Sequence, residues 1–308
     1  MSGALPIVAI VGPTATGKSD LGVQLALRLG GSVVNADASQ LYRGMDIGTA
    51  KLTPAERRGV PHHQLDVLDV PEEASVAAYQ REARADLARI AAAGGRALLV
   101  GGSGLYVRAA LDVLDIPPTD PQVRARLEQE AERLGLDVLR ERLERLDPVA
   151  AQAIEPRNAR RVIRALEVVE LTGRPFSATL PRREHVAPTV VIGLDDDTSA
   201  LDARIDARVA TMFERGLVRE VEQLVGAGLR EGRTASTAIG YAQVLDLLDG
   251  RLDEAAARAD TAQATRRLVR RQRSWFRPDP RISWLPAGAP DLLDRALAVV
   301  ATGMADNG

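Results

Sequence analysis

The stretch Gly12-Pro13-Thr14-Ala15-Thr16-Gly17-Lys18-Ser19 limits what this chain can fold into more than any other. It follows the apolar run Ile7-Val8-Ala9-Ile10-Val11 and opens a helical pattern carrying Leu21, Leu25 and Leu29. Strand, glycine-bounded loop and helix, with a lysine and a hydroxyl at the loop's end, make the G-x-x-x-x-G-K-[ST] phosphate loop. The glycines let successive backbone N–H groups curl around phosphate oxygens, and the helix turns its positive end towards them. Lys18 adds a point charge for the outer phosphates, and Ser19 Oγ is placed to ligate Mg²⁺. Such a chain binds a polyphosphate, and ATP is the loop's ordinary occupant.

The loop sits in a chain of 308 residues, 45% apolar and 27% charged, the composition of a soluble globular protein. No apolar run approaches the ~20 residues of a membrane span, and Met1-Ser2-Gly3 opens no signal peptide. The absence of cysteine excludes disulfides, zinc fingers and iron–sulfur clusters. A cytoplasmic monomer with no membrane and no obligatory protein partner is expected. Of 40 basic residues only Lys18 and Lys51 are lysine, so a lysine at the motif's key position is informative.

The first hundred residues alternate strand and helix as in a parallel α/β sheet. Strands are expected at 7–11, 32–36 and 97–100, a helix at 75–93, and Gly101-Gly102-Ser103-Gly104 closes the third strand. Gly12, Asp37 and Gly101 then fall at carboxyl strand ends, where open sheets bind ligands. After Leu114 prolines break the pattern, and residues 122–146 become helical and heavily charged, with Leu127, Leu134, Leu139, Leu143 and Leu146 apolar. The expected organisation is a P-loop NTPase-like α/β core, 1–115 and 188–308, around an all-helical insertion, 116–187. The insertion is flanked by prolines at 117, 118, 181 and 188. A strand at 189–194 and helices at 199–226, 237–248 and 254–277 complete the core.

Two helices carry arginine faces. On a helical wheel Arg157, Arg160, Arg161 and Arg164 fall within about 100° of arc, opposite Val162, Ile163, Leu166 and Val169. In the last helix Arg266, Arg267, Arg270, Arg271, Arg273 and Arg277 oppose Leu268, Val269, Trp275 and Phe276. A single such run is often only a solvated face. Two of them in a protein of net charge −2 point to a polyanion partner, with nucleic acid favoured.

Asp37 leads the loop Asp37–Lys51, which has few periodic apolar residues. Beside a phosphate loop its carboxylate can hold Mg²⁺ through water, act as a general base, or cap the following helix. Ser103 can donate to a leaving oxygen or simply bond within its turn. Arg204 and Arg208 share a helix face and can either hold a terminal phosphate or pair with Asp202 and Asp206. His62-His63, with Asp66 and Asp69, matches no metal-ligand spacing and reads as structural.

Together these residues resemble the tRNA dimethylallyltransferase, or tRNA isopentenyltransferase, family. The matching stretches are GPTATGKS at 12–19, DASQLYRGMDIGTAK at 37–51, PHHQLDVLD at 61–69 and LLVGGSGLY at 98–106. DPVAAQAIEPRNARRVIRALEVVELTGRP at 147–175 and IGYAQ at 239–243 extend the likeness over most of the chain. The resemblance implies transfer of a dimethylallyl group from its diphosphate to N6 of the adenosine 3′ of the tRNA anticodon, position 37. The tRNAs concerned read codons beginning with U. It further implies that Gly12–Ser19, with Arg208, hold the donor's diphosphate with Mg²⁺ on Ser19, and that Asp37 is the general base beside Ser103. Asp37, Ala38, Ser39, Gln40, Ser103, Arg124, Arg160, Arg161, Val162, Ile163 and Arg164 align with tRNA contacts. Serine at 103 stands where threonine is usual, and Ala38 where serine is commoner. The base that often follows the Gly240-Tyr241 pair is here Ala242, so no phosphate contact is assigned to that turn. A P-loop nucleoside or small-molecule kinase is the alternative; it leaves the arginine faces and the insertion unexplained.

Overall fold

The structure, a computed structural model, describes residues 5–179 and 183–305. Met1-Ser2-Gly3 and Pro181, used in the reading above, lie outside the described residues. The chain divides into two compact units, Met1–Leu111 with His185–Gly308, and Asp112–Glu184. The second was expected at 116–187.

In the first half of the larger unit run β1 (Ile7–Val11), α1 (Lys18–Leu29), β2 (Gly31–Asn35), β3 (His62–His63), α2 (Val76–Ala92), β4 (Arg96–Gly101) and α3 (Gly104–Leu111). The insertion contributes α4 (Pro121–Leu134), α5 (Leu136–Leu146), α6 (Pro148–Ala153) and α7 (Ala159–Thr172). The larger unit resumes with β5 (Thr189–Asp195), α8 (Thr198–Glu214), α9 (Leu217–Gly226), α10 (Tyr241–Leu248), α11 (Glu254–Phe276), β6 (Ile282–Pro286) and α12 (Leu292–Ala305).

One parallel sheet, ordered β3-β2-β4-β1-β5-β6, carries the larger unit. Its central strands are apolar runs because helices cover both faces; β4 is buried at every position. Val11 lies opposite Gly101, and Asn35 opposite Val100, so β1, β4 and β2 end within a residue of one another. The phosphate loop, Asp37 and Ser103 therefore leave the sheet at the same edge. One core cluster packs α1 and α12 on the sheet, and another joins α8, α9, α10 and α11 to Tyr42 and Met45.

Several expected elements are divided or were missed. The helix expected at 199–226 is two, α8 and α9, because the chain turns at Gly216; that at 122–146 is likewise cut at Gly135. The one at 237–248 starts only at Tyr241. β3 has two residues, too few for any periodicity, and β6 and α12 lie beyond the last expected helix.

The smaller unit packs on Leu127, Leu139, Leu143, Val162, Ile163 and Leu166. Its helices begin at polar caps: Asp120 accepts from the amides of Gln122 and Val123, Asp147 from Ala150, and Asn158 from Arg161. Glu167 is fully buried and receives Arg124 at 2.7 Å, Arg164 at 2.8 Å and the Asp120 amide at 3.0 Å. Burial pushes its pKa up, but these hydrogen bonds outweigh that and hold it below the usual carboxylate range.

Candidate active site

The phosphate loop is wound by backbone conformation. Gly12 has φ 132°, and a Cβ there would lie 2.2 Å from the Leu194 carbonyl oxygen of the neighbouring strand. Ala15 and Gly17 are also left-handed, at φ 64° and 79°. The turn is pinned by Thr16 Oγ1, which donates to Pro13 O at 2.8 Å. No side chain caps the amino end of α1, so its first amides remain available to an anion.

Around the loop stand three cations. Lys18 Nζ donates to Pro13 O. Arg208, on α8, reaches Thr14 Oγ1 at 3.3 Å. Arg204, one turn away, pairs instead with Asp196 at 2.6 Å and touches Ala15 O at 3.5 Å, bracing the loop. Asp202 and Asp206 pair with Arg266 of α11, so of the two alternatives for Arg204 and Arg208 the pairing with these carboxylates is not formed. Burial lowers the Lys18 pKa to about 7; Asp37 opposes this shift and Arg208 adds to it. Burial also depresses Arg208.

Asp37 follows β2 and begins a 3-10 turn over Ala38–Leu41. Its Oδ1 accepts from Ser39 N at 3.0 Å, so it does cap that turn. Burial raises its pKa against the pull of the Ser39 and Gln40 amides and of Lys18. Asp37 is half-buried and lines three cavities. Ser103 Oγ accepts from Ala38 N at 3.2 Å, while its own amide donates to Ala36 O at 3.2 Å. The Ser103 hydroxyl thus fixes the backbone that carries Asp37.

Two side chains overlooked by the sequence reading hold the pieces together. Gln272 of α11 accepts from Thr14 N at 2.9 Å and donates to Gly102 O at 3.0 Å, tying the phosphate loop to the Ser103 turn. Glu220 of α9 accepts from the amides of Asp46, Ile47 and Gly48 and from Tyr241 Oη at 2.6 Å. Lys51 lies buried under the same loop, bonded to Tyr42 O, Asp46 and Asp66. Gln40 closes the loop on Thr49 O at 3.0 Å. The stretch 37–51 is therefore ordered from below.

Three cavities meet at Asp37. The first, about 190 Å³, is lined by the phosphate loop, Gln40, Arg208 and Gln272. A second, about 110 Å³, has Ile205, Val209 and Met212 of α8 on one side and Thr261, Thr265 and Leu268 of α11 on another, with polar groups including Ser39, Thr49 and Arg208. The third, about 310 Å³, takes in Ser39, Ser103, Ile239, Arg271, Gln272 and Trp275. Trp275 carries Arg108 on its ring at 5.0 Å. Of the histidines, His62 Nδ1 donates to Val60 O at 2.8 Å and His63 faces Asp86 at 3.6 Å. Among the described residues no three metal-ligating side chains cluster. Ser19 lines the first cavity, and its hydroxyl could hold Mg²⁺ together with oxygens of a bound polyphosphate and water, a donor set that suits that ion.

The arginines divide into free and committed groups. Arg157, Arg160 and Arg161 are exposed and, among the described residues, make no ion pair. Arg164 bonds Pro117 O, Pro118 O and Glu167, and Arg124 bonds Glu167. Val162 and Ile163, aligned above with tRNA contacts, are 0% and 7% exposed in the core of the smaller unit. Their side chains pack beneath the arginine face. On α11, Arg273 is buried against Asp195 and Thr198, Arg277 pairs with Asp195, and Arg266 is paired as described. Only Arg267, Arg270 and Arg271 remain exposed and unpaired on that face among the described residues.

Residues 40–279 match the family model described as IPP transferase. The chain is 60% identical over 303 residues to a tRNA dimethylallyltransferase of Kineococcus radiotolerans, covering 96% of each chain. It is likewise 60% identical over 299 residues to one of Thermobifida fusca, covering 96% of this chain and 94% of that one. Among solved structures it is similar to the tRNA isopentenylpyrophosphate transferase of Bacillus halodurans, with TM-score 0.73, 38% identity and 98% of each chain covered. It also matches a eukaryotic dimethylallyltransferase acting on tRNA, with TM-score 0.81 and 27% identity over 98% of this chain and 79% of that one.

Proposed function

Because the chain belongs to the IPP transferase family, we infer that it is a tRNA dimethylallyltransferase, with dimethylallyl diphosphate as donor and N6 of the adenosine 3′ of the anticodon as acceptor. The observation that carries the chemistry is the position of Asp37, where the cationic phosphate cavity meets the wide cavity of Ser103 and Trp275.

The donor's diphosphate lies in the first cavity, against the amino end of α1, Lys18 and Arg208. The adenine, drawn out of the anticodon-loop stack, enters the third cavity. Its N6 forms a bond to C1 of the allyl group as the C1–O bond to diphosphate breaks, the electron pair leaving with the diphosphate. Asp37 takes the N6 proton; burial makes this carboxylate a stronger base than an exposed one. Lys18, Arg208 and the loop amides stabilise the departing anion. Mg²⁺, when bound through Ser19, neutralises part of the diphosphate charge. Gln272 keeps the loop and the Ser103 turn in one register, so donor and acceptor meet in line. The free arginines of α7 and α11 supply charge for the RNA backbone.

A kinase on the same loop would consume ATP. Incubation of the protein with labelled dimethylallyl diphosphate, Mg²⁺ and unmodified tRNA, without ATP, tests the reading. Label on N6 of adenosine is the expected product; no transfer, with ATP turned over in parallel, would return the loop to a kinase.

A further inference from the structure

Glu220 and Tyr241 line none of the three cavities, yet together they join two of the walls. All four lone-pair positions of the Glu220 carboxylate are taken by neutral donors. Oε2 accepts from Asp46 N at 3.2 Å and Ile47 N at 2.8 Å, and Oε1 from Gly48 N at 3.3 Å and Tyr241 Oη at 2.6 Å. A charged acceptor makes these the stronger kind of hydrogen bond. The three amides converge because the turn is closed behind them, by Thr49 Oγ1 on Met45 O and by Lys51 Nζ on Asp46. Tyr241 is fully buried, and a Cβ on Gly48 would come within 2.5 Å of its ring.

The two sides of this joint carry different walls. From Gly48 the chain runs into Thr49, which lines the first and second cavities and whose carbonyl accepts from Gln40 Nε2 at 3.0 Å. Gln40 lies in the turn that Asp37 begins, its amide donating to Asp37 O at 3.2 Å. Just before Tyr241, the residues Thr237, Ala238 and Ile239 line the third cavity, which the adenine enters in the transferase reading. One carboxylate thus holds both the loop that carries Asp37 and the turn that faces the acceptor. We propose that Glu220 is a positioning residue for the transfer, setting the spacing of loop and turn while touching neither substrate, with Tyr241 as its link to the turn. This rests on the transferase reading above. In-line attack tolerates little misplacement, since a shift of about 1 Å can cost about 10²-fold in rate. Glutamine at 220 would have a single acceptor oxygen and would turn two N–H groups onto donors, so the same shape could not hold both sides.

The test is kcat for prenyl transfer to tRNA in wild type, Glu220→Gln, Tyr241→Phe and Tyr42→Phe, expressed per site that binds inorganic diphosphate by calorimetry. Counting sites removes any loss of folded protein from the comparison. Tyr42 is the control: it is equally buried in the same core cluster, and its hydroxyl bonds Glu72 O and Ala74 N, which line none of the cavities. Glu220→Gln should lower kcat per site about 10–100-fold and Tyr241→Phe about 3–10-fold, with KM for the donor and diphosphate affinity within about threefold of wild type. Tyr42→Phe should lower the melting temperature and leave kcat per site unchanged. An unchanged kcat per site in either Glu220→Gln or Tyr241→Phe would overturn the proposal. So would an equal fall in Tyr42→Phe, which would make the loss a general softening of the core. Tyr241→Phe decides alone if Glu220→Gln leaves no sites to count. Wild type that binds diphosphate but transfers no prenyl group to tRNA would sink the transferase reading instead.

Discussion

The cavity around Asp37 and the arginine face of α7 both handle phosphate, and they do so by opposite physics. In the cavity the charges are few and buried, and burial itself sets their protonation: Lys18 is brought down to about 7 and Asp37 is raised. At α7 the charges of Arg160 and Arg161, and of Arg157 just before the helix, are exposed. Low-dielectric sites are screened little by salt, whereas exposed charges act through released counterions. The cavity should therefore answer to pH and the face to ionic strength.

Asp37→Asn is the hardest blow to the cavity. It keeps the shape and the acceptor from Ser39 but removes the base, so kcat should fall by about 10²–10⁴-fold. Binding of inorganic diphosphate, measured by calorimetry, should survive; loss of both together would make Asp37 a binding group. Lys18→Met should lower kcat/KM for the donor by about 10²–10³-fold. It should also abolish the alkaline fall of that profile, since the wild-type limb reflects Lys18 losing its proton near pH 7. Persistence of the limb in the variant would assign it to another group.

Effects on the arginine side divide by commitment. Glu167→Leu leaves Arg124 and Arg164 without their buried partner and should destabilise the smaller unit by about 3 kcal/mol. Urea unfolding followed by limited proteolysis within 112–184 would show it; an unchanged midpoint would make the cluster dispensable. Arg161→Ala should have the smallest effect, weakening tRNA a few-fold while the slope of log affinity against log salt shrinks by about 0.7–0.9. If Arg161→Ala instead shifts kcat and leaves the slope alone, the face takes part in chemistry.

How much of this was legible in the sequence follows the same divide. The phosphate loop, Asp37 and Ser103 lie in short contiguous stretches at the ends of strands that read as apolar runs, so their convergence could be inferred before the fold was known. Gln272 and Glu220 could not. Gln272 meets Thr14 across 258 residues of chain, and Glu220 meets Gly48 across 172, so no local pattern marks either. The one available hint is that Gln272 is an uncharged polar residue in an arginine-rich helix. Arginine count misled in a specific way. Helical wheels showed which arginines share a face but not which find carboxylates, and Arg164, Arg266, Arg273 and Arg277 turned out to be structural partners. Val162 and Ile163 entered the tRNA set because a contiguous range aligned, although their apolar spacing already assigned them to the core. β3 and β6 escaped because a two-residue strand and a half-exposed edge carry too little hydrophobic signal.

The most direct measurement is the pH profile of kcat/KM for dimethylallyl diphosphate, with tRNA saturating, recorded at about 50 and 200 mM salt alongside tRNA affinity. Activity should rise as Asp37 gives up its proton and fall as pH passes about 7, where the free enzyme's Lys18 becomes neutral. Both limbs should keep their midpoints at the two salt concentrations, while tRNA affinity drops steeply between them. Midpoints that move with salt as the affinity does would contradict the account, because the catalytic charges would then be as exposed as those on α7.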